Sequence, residues 1–591
     1  MKNRHFRRAI LALAVCCISS TTLAFYSNPI SKVQRETREP EAATGHTAKQ
    51  VVVGNEYMVA AANPYASKAG FNILAKGGSA VDAAIAVQLV LTLVEPQSSG
   101  IGGGAFILHW DSEGQKLETI DGRETAPKNA SSDMFLDKAG KPVRWIDAVV
   151  GGRSVGVPGV LKGLKSAHDK YGKLPWKSLF DEAITLADQG FVVSPRLEKL
   201  VAMQFNPGIT KLSEISNYFF PNGSPIKAGQ VLVNQKLAKT YRLIAEKGVE
   251  PFYQGEIAQD IVNAVQNAEI EPGVLSLEDM KGYKPKWREP VCGSYHSFKV
   301  CGMAPPSSGG IAVIQILKQL EAFNLSKLPI NGEEAVHLFT QSSRLAFADR
   351  DKYVADQDFV TVPTNQLLDE NYLSKRSELI KRAKDMGKAA AGEPVVALNY
   401  AENDSFELPS TSHISIVDGD GNAISMTTSV EMAFGSAVMV NGFILNNQLT
   451  DFSLSPSRNG IAVANRVEPF KRPRSSMAPM MVFNKDDSLK LVVGSPGGSR
   501  IINYVAQTVI GVLDWQLNPQ QAINMAKVTN RNKVTTLEKG TPLAKLKPAL
   551  EAKGHKVMIR DLNSGIQAIE VKGKRLLGGA DPRREGKVFA K

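Results

Sequence analysis

The sequence predicts an α+β fold in which β-sheets are covered by helices. Helical and strand-like apolar patterns are interleaved through both halves of the 591 residues. No Pro- or Ser-rich linker and no internal repeat divides the chain. Packing helices on sheets is one of the few arrangements that bury the apolar face of each. We therefore expect one fold, although the length alone would allow several domains.

Three segments show the patterns of helices. The first begins after Ser79, which forms a capping-box pattern with Asp82, and its apolar run continues to Val94. This run is too short to cross a bilayer and contains an acidic residue, so it predicts a buried helix. The segments Ile311 to Phe323 and Ala335 to Ala348 have apolar residues at helical spacing.

Short apolar runs predict the strands. Phe106 to Leu108, Gly442 to Leu445 and Leu491 to Val493 are such runs. Ile414 to Val417 alternates as a half-buried strand does, and the turn-forming residues Asp418 to Asn422 follow it.

The N-terminus predicts export. A basic start, a short apolar run and a small-residue ending predict a signal peptide over residues 1–24. Residues 25–50 are polar and predict a disordered leader. The net charge of +12 includes four basic and no acidic residues in the signal, so the mature chain carries +8. We expect a periplasmic or secreted protein with no membrane span after the signal is removed.

Several function classes are disfavoured by composition. No dense block of Lys and Arg is interleaved with aromatic residues, so no nucleic-acid partner is expected. The eight histidines lack metal-ligand spacing, so no metal site is expected. Gly100 to Ala105 imitates a dinucleotide-binding loop, but it follows a helix and precedes a strand, the reverse of the required context. We therefore expect no cofactor.

Two cysteines remain after the signal. A two-residue turn at His296 and Ser297 would place Cys292 directly opposite Cys301 in a hairpin. A non-hydrogen-bonded pair at that position has the short Cα separation of a cross-strand disulfide. An exported protein could form this bond. Two buried thiols are the alternative.

Thr411 has the setting of a self-processing nucleophile. The long polar stretch Lys381 to Ser410 precedes it, and the strand-like Ile414 to Val417 follows. Cleavage between Ser410 and Thr411 would leave a new N-terminus at the mouth of a strand. The α-amine of a terminal threonine can act as general base for its own hydroxyl, so no histidine is needed. A lone threonine before a strand is nearly always structural, so other motifs must support this interpretation.

The neighbouring motifs supply that support. The segment Thr411 to Ala423 resembles the start of the small subunit of γ-glutamyltranspeptidases, also called glutathione hydrolases. Five more motifs match the family in order and spacing: Asp121 to Pro127, Pro305 to Gly310, Leu445 to Ser453, Lys471 to Met477, and Gly494 to Arg500. The resemblance extends from near Ala60 to the C-terminus.

The resemblance implies the architecture. It implies a four-layer αββα sandwich of the N-terminal nucleophile hydrolase type, with two stacked antiparallel sheets between helical layers. Two fragments would build this fold jointly. The large subunit is residues 51–410, and the small subunit, 411–591, begins at the nucleophile. Self-cleavage between Ser410 and Thr411 would produce them, and they would remain together as a heterodimer.

The resemblance also assigns roles in the site. A γ-glutamyl group carries an α-carboxylate and an α-ammonium, so its site needs a fixed cation and a fixed anion. Arg123 matches the arginine that binds the carboxylate, and a planar fork suits that task. Four more residues match substrate contacts, the serines to the carboxylate and the others to the ammonium: Ser475, Ser476, Gln448 and Asp451.

Catalysis depends on a nucleophile and an oxyanion hole. Attack on an amide generates an oxyanion, which backbone N–H groups stabilise. Gly497 and Gly498 match the family's oxyanion hole, and two glycines let both N–H groups turn toward one point. Considered alone, a Gly-Gly pair is a tight turn.

Three features depart from the common family pattern. Ser429 stands where Thr is usual, which keeps a hydroxyl near Thr411. Glu431 stands where many members have Asn, which places a second carboxylate near Asp451. Leu454 to Phe470 is somewhat shorter than the lid-bearing segment of many bacterial members. A more open site could favour larger acyl groups.

These features imply an exported γ-glutamyltransferase and glutathione hydrolase. Its donors would be glutathione and other γ-glutamyl compounds, and its acceptors would be water, amino acids or peptides. One alternative is an acylase with the same nucleophile that acts on glutaryl or β-lactam side-chain amides. An alternative from another class is a non-catalytic binding or structural relative that never processes itself.

Overall fold

The computed structural model describes residues 45–394, 398–403, 405, 408 and 410–591. The predicted signal peptide and residues 25–44 of the predicted leader lie outside the described residues. Residues 45–50 form neither helix nor strand. Lys49 nevertheless donates hydrogen bonds to the carbonyls of Asp581, Arg584 and Gly586 at 2.7, 2.8 and 2.5 Å. Three carbonyls therefore anchor Lys49 at this end of the predicted leader.

Strands of the two large sheets come from the whole described chain. Their bounds, together with those of the shorter strands, are β1 (Val52–Gly54), β2 (Met58–Ala61), β3 (Gly104–Asp111), β4 (Lys116–Gly122), β5 (Phe191–Val192), β6 (Val231–Leu232), β7 (Lys286–Arg288), β8 (Val291–Tyr295), β9 (Phe298–Gly302), β10 (Ser412–Val417), β11 (Ala423–Ser429), β12 (Met439–Val440), β13 (Phe443–Ile444), β14 (Ser457–Arg458), β15 (Ile461–Ala462), β16 (Met480–Phe483), β17 (Leu489–Gly494), β18 (Val528–Asn530), β19 (Thr535–Glu538), β20 (Val557–Arg560), β21 (Gln567–Lys572), β22 (Arg575–Ala580) and β23 (Lys587–Ala590).

Helices occupy the outer layers and the connections. Their bounds are α1 (Pro64–Ala75), α2 (Ala80–Val94), α3 (Trp145–Val149), α4 (Val160–Tyr171), α5 (Asp181–Gln189), α6 (Pro195–Met203), α7 (Ser213–Phe219), α8 (Gln235–Lys247), α9 (Glu250–Tyr253), α10 (Glu256–Gln266), α11 (Leu277–Gly282), α12 (Gly309–Leu320), α13 (Glu333–Tyr353), α14 (Thr364–Leu367), α15 (Glu370–Ser377), α16 (Ile501–Leu513), α17 (Pro519–Asn524) and α18 (Lys547–Ala552).

Two antiparallel sheets form the centre of the protein. The first sheet has the strand order β23-β2-β10-β11-β3-β4-β7, and the second has the order β1-β22-β21-β17-β16-β9-β8. Strands β10 and β11 pack against β17 and β21 of the second sheet. Helices α1, α2 and α4 cover the first sheet, and α12, α16 and α17 cover the second. This is the αββα sandwich that the resemblance implies.

Both sheets mix strands from the two sides of Thr411. In the first sheet, β10 and β11 lie between β2 and β3, which come from the N-terminal part of the chain. In the second sheet, β16 pairs with β9, and β22 pairs with β1. Segments before and after position 411 therefore form the same sheets and share the same apolar cores.

The predicted helices are present at the predicted places. Ser79 and Asp82 form the capping box of α2, which ends at Val94, and every residue of this helix is buried. Helices α12 and α13 include most of the segments predicted from their helical spacing. Among the described residues, no helix combines the length and hydropathy needed to cross a membrane.

Strand β10 corrects one prediction. Its alternating pattern predicted a half-buried strand, but all six of its residues are buried. It is central in the first sheet, so one face packs on α2 and the other on the second sheet. Its polar side chains are therefore hydrogen-bonded inside the protein. His413 contacts Thr427 at 2.9 Å, and Ser415 donates to the carbonyl of Gln567 at 3.2 Å.

The cysteine hairpin forms as the spacing predicts. Strands β8 and β9 flank the turn at His296 and Ser297, and Cys292 is directly opposite Cys301. The two sulfur atoms lie 2.08 Å apart, at the distance of a disulfide bond. The bond links the edge strand of the second sheet to its neighbour.

Candidate active site

The hydroxyl of Thr411 lies against the peptide bond that precedes it. Thr411 stands immediately before β10, at the end of a central strand, and is 3% exposed. Its Oγ1 donates a hydrogen bond to the carbonyl oxygen of Ser410 at 2.6 Å. The rigid pairing of β10 on both sides fixes this nucleophile in place.

Ser429 brings a second hydroxyl to the same carbonyl. It is the last residue of β11, next to β10 in the sheet. Its Oγ donates to the carbonyl oxygen of Ser410 at 2.8 Å and accepts from the backbone N–H of Glu431 at 2.8 Å. The Oγ atoms of Thr411 and Ser429 are 3.4 Å apart. The Ser410 carbonyl therefore accepts hydrogen bonds from two hydroxyl groups.

Gly497 and Gly498 form the turn between β17 and α16. Their φ angles are +139° and +55°, values that favour glycine. Gly498 lines the same cavity as Thr411 and Ser429, whereas Gly497 is not among its lining residues. A Cβ added to Gly497 would lie 2.8 Å from the ring of Tyr504. The turn therefore places Gly498 at the cavity that Thr411 lines, just before the N-terminus of α16.

Arg123 follows β4 and is buried against the end of the first sheet. Its guanidinium donates to the carbonyls of Pro473 and Arg474 at 3.2 and 3.0 Å. It also pairs with the carboxylate of Asp451. The site thus holds a cation and an anion side by side, as a zwitterionic group requires.

A short helical turn, Gln448–Asp451, brings Gln448 and Asp451 to the cavity beside Arg123. Among the described residues, the buried Oε1 of Gln448 has no hydrogen-bond partner. Glu431 also faces this cavity, and its φ of +81° is unusual for a residue with a side chain. Asn447 donates to its carboxyl group at 2.6 Å. Strained backbone of this kind often occurs at functional sites.

Burial alters the ionisation of Glu431. Desolvation raises its pKa well above the usual value, and the nearby charge of Asp451 raises it further. Arg123 opposes this rise more weakly. In the ligand-free site, Glu431 therefore holds a proton more strongly than an ordinary glutamate, and its carboxyl group is hydrogen-bonded to Asp451.

Ser475 and Ser476 lie on the third side of the cavity. The hydroxyl of Ser475 accepts from the backbone N–H of Met477 at 3.1 Å. The hydroxyl of Ser476 accepts from Arg350 at 2.5 Å. Sequence reasoning missed Arg350, because it lies on α13 more than a hundred residues from this pair and matches no motif.

Glu124 is a second residue that sequence reasoning missed. It is fully buried beside Arg123, and neither carboxyl oxygen has a hydrogen-bond partner among the described residues. Desolvation raises the pKa of Glu124 to about 8, while Arg123 lowers it. Glu124 occurs in the predicted Asp121 to Pro127 motif, but only the structure shows its burial.

The fold brings nine of the ten predicted catalytic and substrate-binding residues together around one cavity, whose empty space is about 270 Å³ with open solvent included. Leu408 is also in its wall, so the segment before Thr411 closes part of the site. All of 454–470 is described, and none of it lines the cavity. The lining residues are Arg123, Leu408, Thr411, Ser429, Glu431, Gln448, Asp451, Ser475, Ser476, Met477, Gly498 and Ile501.

His413 is next to the nucleophile but belongs to the core. Its two ring nitrogens contact the hydroxyls of Thr427 and Ser415. Complete burial lowers the pKa of His413 to about 3, so it is neutral. It is therefore a structural residue. In the described part of the chain, no cluster of three or more His, Cys, Asp or Glu residues is arranged to hold a metal ion.

Two stacked sheets between helices, with a threonine hydroxyl at the start of a central strand, define an N-terminal nucleophile hydrolase. The family model for gamma-glutamyltranspeptidase matches residues 66–590. The chain belongs to the γ-glutamyltranspeptidase family and is an enzyme of that type.

Individual relatives agree with this assignment. The chain is 38% identical over 553 residues to the glutathione hydrolase proenzyme of Bacillus subtilis (strain 168), covering 91% of this chain and 92% of the relative. It is 37% identical over 536 residues to the glutathione hydrolase proenzyme of Escherichia coli (strain K12), covering 89% and 90%. Among solved structures, the cephalosporin acylase from Bacillus halodurans matches with a TM-score of 0.81 at 29% identity, covering 92% of this chain and 97% of that one.

Proposed function

We propose that this protein is a γ-glutamyltransferase and glutathione hydrolase that activates itself by cleavage between Ser410 and Thr411. The observation that carries the proposal is the position of the Thr411 hydroxyl, 2.6 Å from the carbonyl oxygen of Ser410. That carbonyl is also hydrogen-bonded to Ser429. The substrate side of the proposal rests on the paired charges of Arg123 and Asp451 in the same cavity.

Self-cleavage begins at the Ser410 carbonyl. The Oγ1 of Thr411 bonds to its carbon, and charge develops on its oxygen, where the Ser429 hydroxyl donates a hydrogen bond. The hydroxyl proton of Thr411 moves to the amide nitrogen, and the C–N bond breaks to leave an ester and an amine. Water then hydrolyses the ester, which releases the Ser410 carboxylate and restores the Thr411 hydroxyl.

Turnover repeats this chemistry on the donor. The new α-amine of Thr411 takes the proton from the hydroxyl as Oγ1 attacks the γ-carbonyl carbon. The N–H groups of Gly497 and Gly498 stabilise the oxyanion, and the proton passes to the leaving amine. A γ-glutamyl ester of Thr411 results. Water, or the amine of an amino acid or peptide, then releases the γ-glutamyl group.

The donor is held by its two charged groups. Arg123, Ser475 and Ser476 bind the α-carboxylate, while Asp451, Glu431 and Gln448 surround the α-ammonium. In the ligand-free site Arg123 and Asp451 pair with each other. When a zwitterionic donor binds, its carboxylate pairs with Arg123 and its ammonium pairs with Asp451, so little charge is left uncompensated.

The products of cleavage are a large fragment ending at Ser410 and a small fragment, 411–591. They form a heterodimer whose sheets contain strands of both. The N-terminal signal sends the precursor to the periplasm or the exterior, where it meets glutathione and other γ-glutamyl compounds. Amino acids and peptides serve as acceptors.

The cephalosporin acylase likeness and the raised pKa of Glu431 favour a second candidate, an acylase for glutaryl-like amides. A protonated Glu431 carries no charge, so a donor without an ammonium leaves no additional unpaired charge at this position. A γ-glutamyl anilide and a glutaryl anilide differ only in that ammonium, so the ratio of their kcat/KM values separates the two functions. A γ-glutamyltransferase prefers the γ-glutamyl anilide, and transfers its acyl group when a dipeptide is added.

A further inference from the structure

Arg350 lies behind the serine pair of the active site. It is near the end of α13 and only 4% exposed. Its Nη2 donates to the hydroxyl of Ser476 at 2.5 Å, and its Nε donates to the hydroxyl of Ser308 at 2.9 Å. Ser308 in turn donates to the carbonyl of Ser475 at 2.7 Å. One guanidinium therefore supports both serines, one directly and one through a relay.

These hydrogen bonds have a direction that matters for binding. A guanidinium can only donate, so the Ser476 oxygen must accept from Arg350. Its own hydrogen is then directed away from Arg350, and Ser476 lines the cavity. The oxygen of Ser475 likewise accepts, from the backbone N–H of Met477. Both hydroxyls are thus polarised to donate, which is what a carboxylate needs from a serine.

Arg350 differs from Arg123 in what it can do. Arg123 lines the cavity, whereas Arg350 does not, so Arg350 acts on a ligand only through other groups. Its Nη1 pairs with Asp351 at 2.7 Å, which balances its charge locally. Its contribution is therefore geometric: it holds the Ser476 hydroxyl in a donating orientation and, through Ser308, supports the backbone carbonyl of Ser475.

We propose that Arg350 is a positioning residue for recognition of the donor's α-carboxylate, acting through Ser476 and, by way of Ser308, through Ser475. This inference rests on the proposed role of the serine pair in the substrate site. Arg350 lies before the cleavage site and the serines lie after it. The same contacts therefore align the large fragment with the small one at the substrate site.

Three anilides of related acyl groups test the proposal. The γ-glutamyl group has both charges, the glutaryl group keeps only the carboxylate, and the 4-aminobutyryl group keeps only the ammonium. In Arg350→Met, KM should rise roughly tenfold for the γ-glutamyl and glutaryl anilides, with kcat little changed. The kcat/KM for the 4-aminobutyryl anilide should change less than about twofold. Equal losses on all three donors would overturn the proposal, since they would mean a purely structural role.

A double-mutant cycle identifies the route of the effect. Adding Arg350→Met to Ser476→Ala should cause little further loss, because residues acting through one contact are not additive. Suppose that Arg350→Met weakens only the donors that carry a carboxylate, while Ser476→Ala leaves all kcat/KM values unchanged. Arg350 then does not act through Ser476, and the proposal fails. A wild-type enzyme that prefers the glutaryl anilide would contradict the proposed γ-glutamyltransferase function, not the role of Arg350. The comparison of glutaryl and 4-aminobutyryl anilides would still test that role.

Matched variants separate positioning from folding. Arg344 is a buried arginine on the same helix that pairs with Asp385, away from the cavity. Arg344→Met should lower stability without changing the ratio of kcat/KM between the γ-glutamyl and 4-aminobutyryl anilides. If Arg350→Met does not fold, Arg350→Lys tests the same contacts, because an ammonium lacks the planar fork that donates to both Ser476 and Ser308. It should lower the same ratio by a smaller factor, and an unchanged ratio would overturn the proposal.

Discussion

The hydroxyl of Thr411 serves two reactions in the proposed mechanism, and its replacement tests both. Thr411→Ala should remain a single chain on a denaturing gel and lack γ-glutamyl anilide hydrolysis, because one atom is the nucleophile in both steps. Thr411→Ser should process slowly and keep some activity. Cleavage of Thr411→Ala before position 411 would contradict the mechanism.

Arg123 offers a test of substrate binding that leaves the nucleophile intact. Arg123→Lys keeps the charge but loses the planar fork, so the KM of γ-glutamyl donors should rise by a factor equivalent to about 1–3 kcal/mol. Self-cleavage, followed by the rate of fragment appearance, should slow much less. Equal losses in processing and turnover would assign Arg123 to the fold.

Glu431 makes donor binding depend on pH. Burial and Asp451 raise its pKa, so below that raised pKa it is neutral in the ligand-free site. A donor ammonium favours the carboxylate, so binding releases a proton and kcat/KM should increase as the pH rises. The range from about pH 5 to pH 8 suits the measurement, because an ordinary glutamate, with a pKa of ~4.3, is already ionised there.

Glu431→Gln provides the control for that pH dependence. It should make the profile less steep, leaving the rise that comes from the Thr411 α-amine, and should weaken γ-glutamyl donors by roughly tenfold to a hundredfold at the upper end of the pH range, with glutaryl donors nearly unchanged. If Glu431 instead excludes the α-carboxylate, the substitution should improve γ-glutamyl turnover. An unchanged ratio of γ-glutamyl to glutaryl kcat/KM would remove Glu431 from the substrate site.

At the scale of single elements, the hairpin of β8 and β9 should contribute stability but not specificity. The proposed Cys292–Cys301 disulfide closes a short loop, which is worth at most about 2–3 kcal/mol. Cys292→Ser with Cys301→Ser should therefore lower the Tm and leave KM unchanged. A reductant should lower the Tm of the wild type but not that of the double variant. A wild-type Tm that does not respond to reductant would argue against the bond.

Individual elements also show what sequence patterns can predict. The capping box fixed the start of α2 because its interactions are local. The pattern of β10 was misleading, because its buried polar residues find partners that are distant in sequence, such as Gln567. The same reason hid Arg350, whose partner Ser476 is distant in sequence. Glu124 lies in a family motif next to Arg123, and only the structure shows that its carboxyl group is buried. The site residues within family motifs could be found from the sequence.

At the scale of the whole molecule, the strand order explains how a cut chain can remain one protein. Strands β10 and β11 have neighbours from the N-terminal side on both edges, and β23 pairs with β2. The described residues of the polar segment before Thr411 belong to neither large sheet. The proposed cleavage between Ser410 and Thr411 would break one covalent link and no strand pairing.

We therefore expect the two fragments to stay together until the protein unfolds. After self-cleavage they should elute as one species in gel filtration at high salt, because strand pairing and shared apolar cores join them. They should separate only in denaturant, and circular dichroism should show one cooperative transition at the same denaturant concentration. Residues 411–591 expressed alone should not fold, since β10 and β11 would lack β2 and β3. Dissociation of the native fragments, or a stable isolated small fragment, would contradict a jointly built sandwich.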